Sequence, residues 1–222
     1  CKRYKKIFEG LRKKLTREYN MSDNISSHVI RRLPRYLRML DQLATDKVSH
    51  VSSSELGKLL GFTSSQVRHD FSCFGGFGQQ GYGYNVTSLR DSIAEILGMN
   101  RGHRAIVVGV GNIGHSLIDN FCFDELGVNL VGAFDVTAGI VGSVINGITI
   151  RHIDEIPKFL NDNPVDFAVL CVPKTEAVMV AEYLIANGIE TFWNFTNVEL
   201  TTPDSDVLIE NMHFSDSLLT LS

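Results

Sequence analysis

Cysteine is scarce in this chain of 222 residues, and Cys1, Cys73, Cys122 and Cys171 stand far apart with no C-x-x-C spacing. That excludes a disulfide framework and a zinc ribbon, and leaves reduced thiols. The seven histidines form no ligand-spaced cluster, so no metal is expected. Long apolar runs are missing as well. No stretch approaches the ~18 residues needed to cross a bilayer, and no secretory apolar region stands near the start. The expectation is a cytoplasmic protein with no membrane contact. What is present in quantity is core material: 44% of residues are hydrophobic, enough for one or two well-packed domains.

Charge is split unevenly. Residues 1–100 carry 16 Lys and Arg against 9 Asp and Glu, a net +7, whereas residues 101–222 carry 5 against 16, a net −11. A basic first half points to a polyanionic partner, which the acidic remainder would avoid. Residues 1–20 alone contribute +6. There Ile7, Phe8, Leu11 and Leu15 fall at roughly helical spacing among basic residues, a pattern also compatible with a membrane-surface helix. The reading preferred is that Met21 is the natural start and residues 1–24 form a basic tail or leader outside the fold.

The most specific motif is Val107-Val108-Gly109-Val110-Gly111-Asn112-Ile113-Gly114, with Asp135 closing a second apolar run 21 positions beyond the last glycine. Strand, glycine turn, helix and distant acid are the pattern of dinucleotide binding. Gly109 allows the tight turn, Gly111 the approach of a pyrophosphate, and Gly114 the packing of helix on strand, while free N–H groups at the helix start attract the anion. Asp135 can accept hydrogen bonds from a ribose diol and would repel a 2′-phosphate. NADH and NAD+ are therefore favoured over their phosphorylated forms.

Upstream, a helix is expected from Ile25 to about Leu43, with Pro34 in its first turn or at a kink. Arg31, Arg32, Arg35 and Arg38 lie on or beside its polar side; phosphate contact and a solvated face both remain open. Serines 52–54 and Gly61 bracket a short helix, and Ser64 to Ser72 forms a second after a tight turn, giving a helix-turn-helix. Val67 and Phe71 should face inward, leaving Ser65, Gln66, Arg68 and His69 outward for base edges in the major groove. The run from Phe74 to Tyr84, rich in glycine and aromatics, suits a hairpin wing in which Gln79, Gln80, Tyr82 and Tyr84 would contact DNA. Together these make a winged-helix DNA-binding domain over 25–100.

A connecting helix carries Leu89, Ile93, Ile96 and Leu97, and a polar linker follows over 98–103. Strands are expected over 104–110, 129–135, 147–151, 165–172, 191–195 and 207–211, with helices after Gly111, over 153–160 and over 176–187. That alternation implies an α/β fold with a mainly parallel sheet. The Rossmann dinucleotide-binding domain spans 101–210, and 211–222 ends in an amphipathic helix carrying Leu218, Leu219 and Leu221.

In order, Arg32-Leu33-Pro34-Arg35-Tyr36, Gln66-Val67-Arg68-His69-Asp70, Phe74 to Gly78 with Gly81 to Tyr84, Gly109 to Gly114, Ala133-Phe134-Asp135, Val172-Pro173 and Asn194-Phe195 closely resemble the Rex family of redox-sensing transcriptional repressors. The resemblance covers nearly everything from Ile25 onward. It implies a homodimer that binds a palindromic operator through two winged helices and exchanges its C-terminal helices between subunits. It also implies that NADH bound between the Rossmann domains closes the dimer and releases DNA, whereas NAD+ competes weakly or supports binding. Val172 and Pro173 join the cofactor-binding set by the same resemblance. Three positions depart from the family pattern. His213, before Phe214, stands where an aspartate is common, and Asn120 where a tyrosine is expected; those family residues belong to the network that changes partners with cofactor state. Gln79-Gln80 replaces a more basic wing and predicts a shallower salt dependence.

The main rival is an NAD-dependent oxidoreductase, since such glycine motifs usually serve hydride transfer. It would need a catalytic domain and a general acid or base, and His115 and His152 have no carboxylate partner visible in sequence. A third reading, an architectural DNA-binding protein whose Rossmann domain only dimerises, is opposed by Asp135 and the three glycines. No catalytic residue is assigned.

Overall fold

Residues 26–74, 78–79, 82–202 and 206–221 are described in a computed structural model. The expected tail over 1–24, Ile25 and the wing residue Gln80 lie outside the described residues. The chain divides into two compact units between Asn100 and Arg101.

The first unit opens with α1, Ser27–Thr45, N-capped by Ser26, whose hydroxyl accepts from the Val29 N–H. Pro34 sits in the interior of this helix and not in its first turn, where it removes the donor to the Ile30 carbonyl. A two-residue strand β1, His50–Val51, precedes α2, Ser53–Leu60. Ser52 and Glu55 form a reciprocal capping box at its start, and Gly61 ends it at φ 73°, a left-handed conformation that glycine adopts without strain. After that turn comes α3, Ser64–Ser72, capped by Thr63. Strands β2, Gly78–Gln79, and β3, Gly83–Asn85, form an antiparallel hairpin to which β1 adds in the order β1-β3-β2. Helix α4, Val86–Ile96, closes the unit.

Its core gathers one face of each helix: Leu33, Tyr36 and Leu40 from α1, Leu56 from α2, Val67 and Phe71 from α3, and Leu89 and Ile93 from α4. Tyr84 is buried there too, its ring 5.1 Å from that of Phe71 in an edge-on contact. The expectation that Tyr84 touches DNA is thereby corrected. Alternation along β3 points Tyr84 inward, so it anchors the wing to the core.

The second unit begins with β4, His103–Val108, then α5, Asn112–Asn120, and β5, Val128–Asp135. A hairpin of β6, Val144–Ile145, and β7, Ile148–His152, leads to a 3₁₀ turn and α6, Ile156–Asp162. Then come β8, Phe167–Leu170, α7, Ala177–Ala186, β9, Thr191–Asn194, β10, Leu208–Asn211, and α8, Phe214–Leu219. The sheet order is β10-β9-β8-β4-β5-β7-β6, parallel throughout except for the edge strand β6. Taking the parallel strands in chain order, this is the doubly wound arrangement 3-2-1-4-5-6, whose reversal point beside the first strand leaves a crevice at the strand ends. Hydrophobic clusters cover both faces, one around Phe134, Leu170 and Leu184 and the other around Val107, Ile118 and Phe195.

Candidate nucleotide site and DNA-reading surface

At the carboxyl ends of β4, β5 and β8 lies a cavity of about 1090 Å³, lined by Gly109, Gly111, Asn112, Ile113, Asp135, Val172 and Pro173, with Val136, Ile140, Met179, Val180, Phe195, Thr196 and Asn197 around them. Gly109 has φ 91°, and a Cβ there would come 2.7 Å from the Val172 nitrogen. A Cβ on Gly114 would overlap the Gly109 carbonyl oxygen. These two positions demand glycine because backbone packs against backbone. Gly111 differs: its φ is −71° and a Cβ would meet no protein atom within 4 Å. What a side chain there would obstruct is the cavity itself. Gly111 also caps α5 without a side-chain hydrogen bond, which leaves the helix start open to an anion.

Asp135 ends β5 with both carboxylate oxygens engaged. Oδ2 accepts from the Val110 N–H at 2.6 Å and Oδ1 from the Thr137 N–H at 2.8 Å. Burial is the largest single influence on its pKa and acts upward, but the hydrogen bonds from Val110, Thr137 and Val136 together outweigh it, so the group lies below the usual carboxylate range. An ionised carboxylate has about four acceptor directions, so two oxygens holding one N–H each can still receive a ribose diol. The Cys171 thiol at the cavity floor is pushed up to about 12 by burial.

In the first unit, α3 presents Ser65, Arg68 and His69 as exposed side chains and Gln66 as half-buried. Arg68 is braced by its own neighbourhood, donating to the Ser53 hydroxyl at 3.2 Å and the Ser65 hydroxyl at 3.5 Å. The helix is held from behind by Asp70, fully buried, an arrangement that amphipathic spacing did not reveal. Arg32 donates to it through Nε at 2.7 Å and Nη2 at 2.6 Å, and the Tyr36 hydroxyl donates at 2.8 Å. The Asp70 hydrogen bond raises the Arg32 pKa against a smaller opposing effect of burial, while burial first and Asp70 second raise that of Tyr36. The assignment of Arg32 to DNA phosphate is corrected: a guanidinium forked onto a buried carboxylate is committed to the fold.

Arg35 stays exposed but donates to the Leu60 carbonyl at 2.9 Å and lies 4.5 Å over the Phe62 ring. Arg31 and Arg38 are exposed along α1, and Tyr82 is 77% exposed at the wing. Gln79 pairs with Gly83 in the hairpin.

Asn120 is the last residue of α5, exposed, its amide donating to the Ser116 carbonyl. His213 is the N-cap residue of α8, with Nε2 2.7 Å from Glu199 Oε2. Phe214 is more than half exposed, its ring centroid 6.0 Å from that of Phe195. His152 does have a carboxylate neighbour, Asp154 at 3.2 Å, but its Nδ1 also accepts the Asp154 N–H as a cap of the 3₁₀ turn. Among the described residues no group of three or more His, Cys, Asp or Glu is placed to hold a metal, and no helix is long and apolar enough to cross a membrane.

Two family models match the chain, one described as a putative DNA-binding protein N-terminus over residues 24–72 and one as a CoA binding domain over residues 100–198. The redox-sensing transcriptional repressor Rex of Clostridium beijerinckii is 46% identical over 198 residues, 89% of this chain and 93% of its own. That of Caldicellulosiruptor saccharolyticus is 48% identical over 199 residues, 90% of each. The structure is similar to crystal structures of RSP, a Rex-family repressor. The complex of RSP with β-NAD+ and operator DNA has a TM-score of 0.83 at 41% identity, covering 90% of this chain and 92% of that one. The β-NADH complex has a TM-score of 0.82 at 38% identity, covering 90% and 93%. On this similarity across both units, the chain belongs to the Rex family of redox-sensing transcriptional repressors, and is a regulator and not an enzyme.

Proposed function

We propose that this chain binds a palindromic operator as a cytoplasmic homodimer, and that NADH in the cavity beside the glycine turn releases the DNA, so that transcription follows the NADH/NAD+ ratio. The observation that carries the reading is the coexistence, in one chain, of an outward α3 bearing Arg68 with a cavity faced by Gly111 and Asp135. In this reading residues 25–100 read DNA, 101–210 bind the nucleotide, and 211–222 pass to the partner subunit. Ser65, Gln66, Arg68 and His69 meet base edges, while Arg31, Arg35, Gln79, Gln80 and Tyr82 meet the backbone or minor groove. Gly109 to Gly114 cradle the pyrophosphate, Asp135 takes the adenosine ribose, and Val172 and Pro173 flank the nicotinamide half. Asp135 also argues against CoA, whose ribose carries a phosphate.

The residues present fit the dinucleotide. Open space at Gly111 and an uncapped helix start both suit the pyrophosphate, and an ionised carboxylate suits the ribose. Apolar lining gives a reason for redox preference: neutral dihydronicotinamide loses less on leaving water than the cationic oxidised ring. The recognition helices of a bound dimer must stand ~34–36 Å apart to enter successive major grooves. A switch from 1:99 to 99:1 between binding and released arrangements requires roughly 5.5 kcal/mol of differential affinity.

The test is fluorescence anisotropy of a palindromic duplex, selected by the protein from a random-sequence pool, titrated separately with NADH and NAD+. NADH should release the duplex at lower concentration than NAD+. Equal retention under both nucleotides overturns the reading.

A further inference from the structure

β9 ends at Asn194, and the next three residues, Phe195, Thr196 and Asn197, all line the cavity. Their turn is shaped by one buried amide. Asn194 Oδ1 accepts from the Thr196 N–H at 3.0 Å and the Thr196 hydroxyl at 2.7 Å, while Nδ2 donates to the Val198 carbonyl at 2.8 Å and to Asn211 Oδ1 at 2.7 Å. Asn211, the last residue of β10, donates in turn to Glu199 Oε1 and the Leu200 carbonyl, each at 3.1 Å. The second oxygen of Glu199 reaches His213 Nε2 at 2.7 Å. Hydrogen bonds thus run unbroken from the cavity floor to the residue that starts α8. The Phe195–Phe214 ring contact runs beside them, from the same turn to the same helix start.

A lone surface ion pair holds little by itself, because two mobile side chains lose entropy to meet in water. Glu199 differs in using both oxygens: one is fixed by Asn211, which leaves the other a defined place from which to hold the imidazole. We propose that Glu199 is a positioning residue that couples the nucleotide cavity to the terminal helix, holding His213, and with it the first turn of α8, wherever the 195–199 turn sets it. A displacement of Thr196 or Asn197 by a bound nucleotide then reaches α8 through fixed contacts. Spatial continuity alone does not establish such coupling, so the decisive observation is energetic. The inference rests on the proposed function, since coupling is read out only if NADH and DNA oppose one another.

The experiment measures the NADH dissociation constant of the full chain by calorimetry, with and without the selected duplex, and takes the ratio. Glu199→Lys places a cation against the imidazole; Glu199→Lys with His213→Asp puts a basic and an acidic group at the two positions in reversed order; Glu199→Gln removes the charge and leaves one acceptor oxygen. The ratio should fall about fivefold in the single Lys variant, partly in the Gln variant, and recover in the swapped pair. Hydrogen exchange at residues 214–219 should rise and recover in parallel. A ratio unchanged by Glu199→Lys, or no recovery in a swapped pair whose free-state NADH affinity is intact, overturns the inference while leaving the proposed function standing. A wild-type ratio of one overturns both.

Discussion

Asp135 shows how one side chain can be both structure and recognition. Its carboxylate ties the Val110 N–H of the glycine turn and the Thr137 N–H beyond β5 to a single point, so the turn is shaped before any ligand arrives. Because its pKa is lowered, the stabilisation it gives is fully present above the unfolded carboxylate value and is lost only as pH falls through the lower folded value. Asp135→Asn keeps one acceptor and removes the charge. NADH should bind about tenfold more weakly and discrimination against NADPH should shrink, the loss expected for a charge-assisted bond. Calorimetry with both nucleotides checks this, and unaltered discrimination would place the ribose elsewhere. The thiols give a second expectation at this scale. Burial raises the Cys171 thiol to about 12 and also raises Cys73, whereas Cys122 is exposed. Only the thiolate reacts. Brief iodoacetamide treatment of the native chain at pH 7.5, followed by peptide mass spectrometry, should modify Cys122 and spare Cys73 and Cys171; rapid labelling of Cys171 would show that the cavity floor opens.

Among the elements, α3 is held both by its apolar face, Val67 and Phe71, and by Asp70, which Arg32 and Tyr36 hold from α1. Removing one member of a buried, hydrogen-bonded pair strands the other, so Asp70→Asn should destabilise the first unit by about 3 kcal/mol in urea unfolding and weaken operator binding. Arg32→Ala should act the same way. Arg31→Ala should instead leave stability alone and flatten the logarithmic salt dependence of DNA binding by about 0.9 for each phosphate it no longer neutralises; matching behaviour of the two arginine variants would refute the division of labour between them. The periodicity that placed Val67 and Phe71 inside also made the outward α3 face legible, as the glycine spacing did for β4, α5 and β5. It did not expose Asp70, because a polar residue on an apolar face has no signal until its partners from a distant helix are in view. Tyr84 misled for a related reason: an aromatic in a glycine-rich wing looks exposed until β1 pairs with β3 and turns it inward. The strand expected over 147–151 is β7, but its hairpin partner β6 has no counterpart among the expected strands, although Asn146-Gly147, both at positive φ, sits at the tip. That dipeptide is a strong hairpin signal, but a two-residue strand such as β6 carries too little alternation to be seen beside it.

At the scale of the whole molecule, α8 is six residues long, and Phe214, Leu218 and Leu219 on it and Leu221 just beyond it are between 57% and 83% exposed. A helix this short cannot be stable on its own in water, and an apolar stripe on it has no reason to face solvent. Within the chain, Phe214 contacts Phe195 and Glu199 holds His213, so the root of the helix is fixed while its tip reaches outward. Ile113, Val136 and Met179 along the cavity rim are exposed as well, and on another copy they would offer apolar surface of the matching kind. If the tip is covered by a partner subunit, Leu218→Glu with Leu219→Glu should abolish the dimer without unfolding the protomer, because neither side chain is part of either core. Sedimentation velocity should then show a monomer with an unchanged circular dichroism spectrum. Each recognition helix would lose its partner one turn of DNA away, and binding to a palindrome would fall toward that of a single half-site. A dimer that persists in the double glutamate variant would mean that α8 meets water as it stands, and that the two-fold assembly is built from some other face.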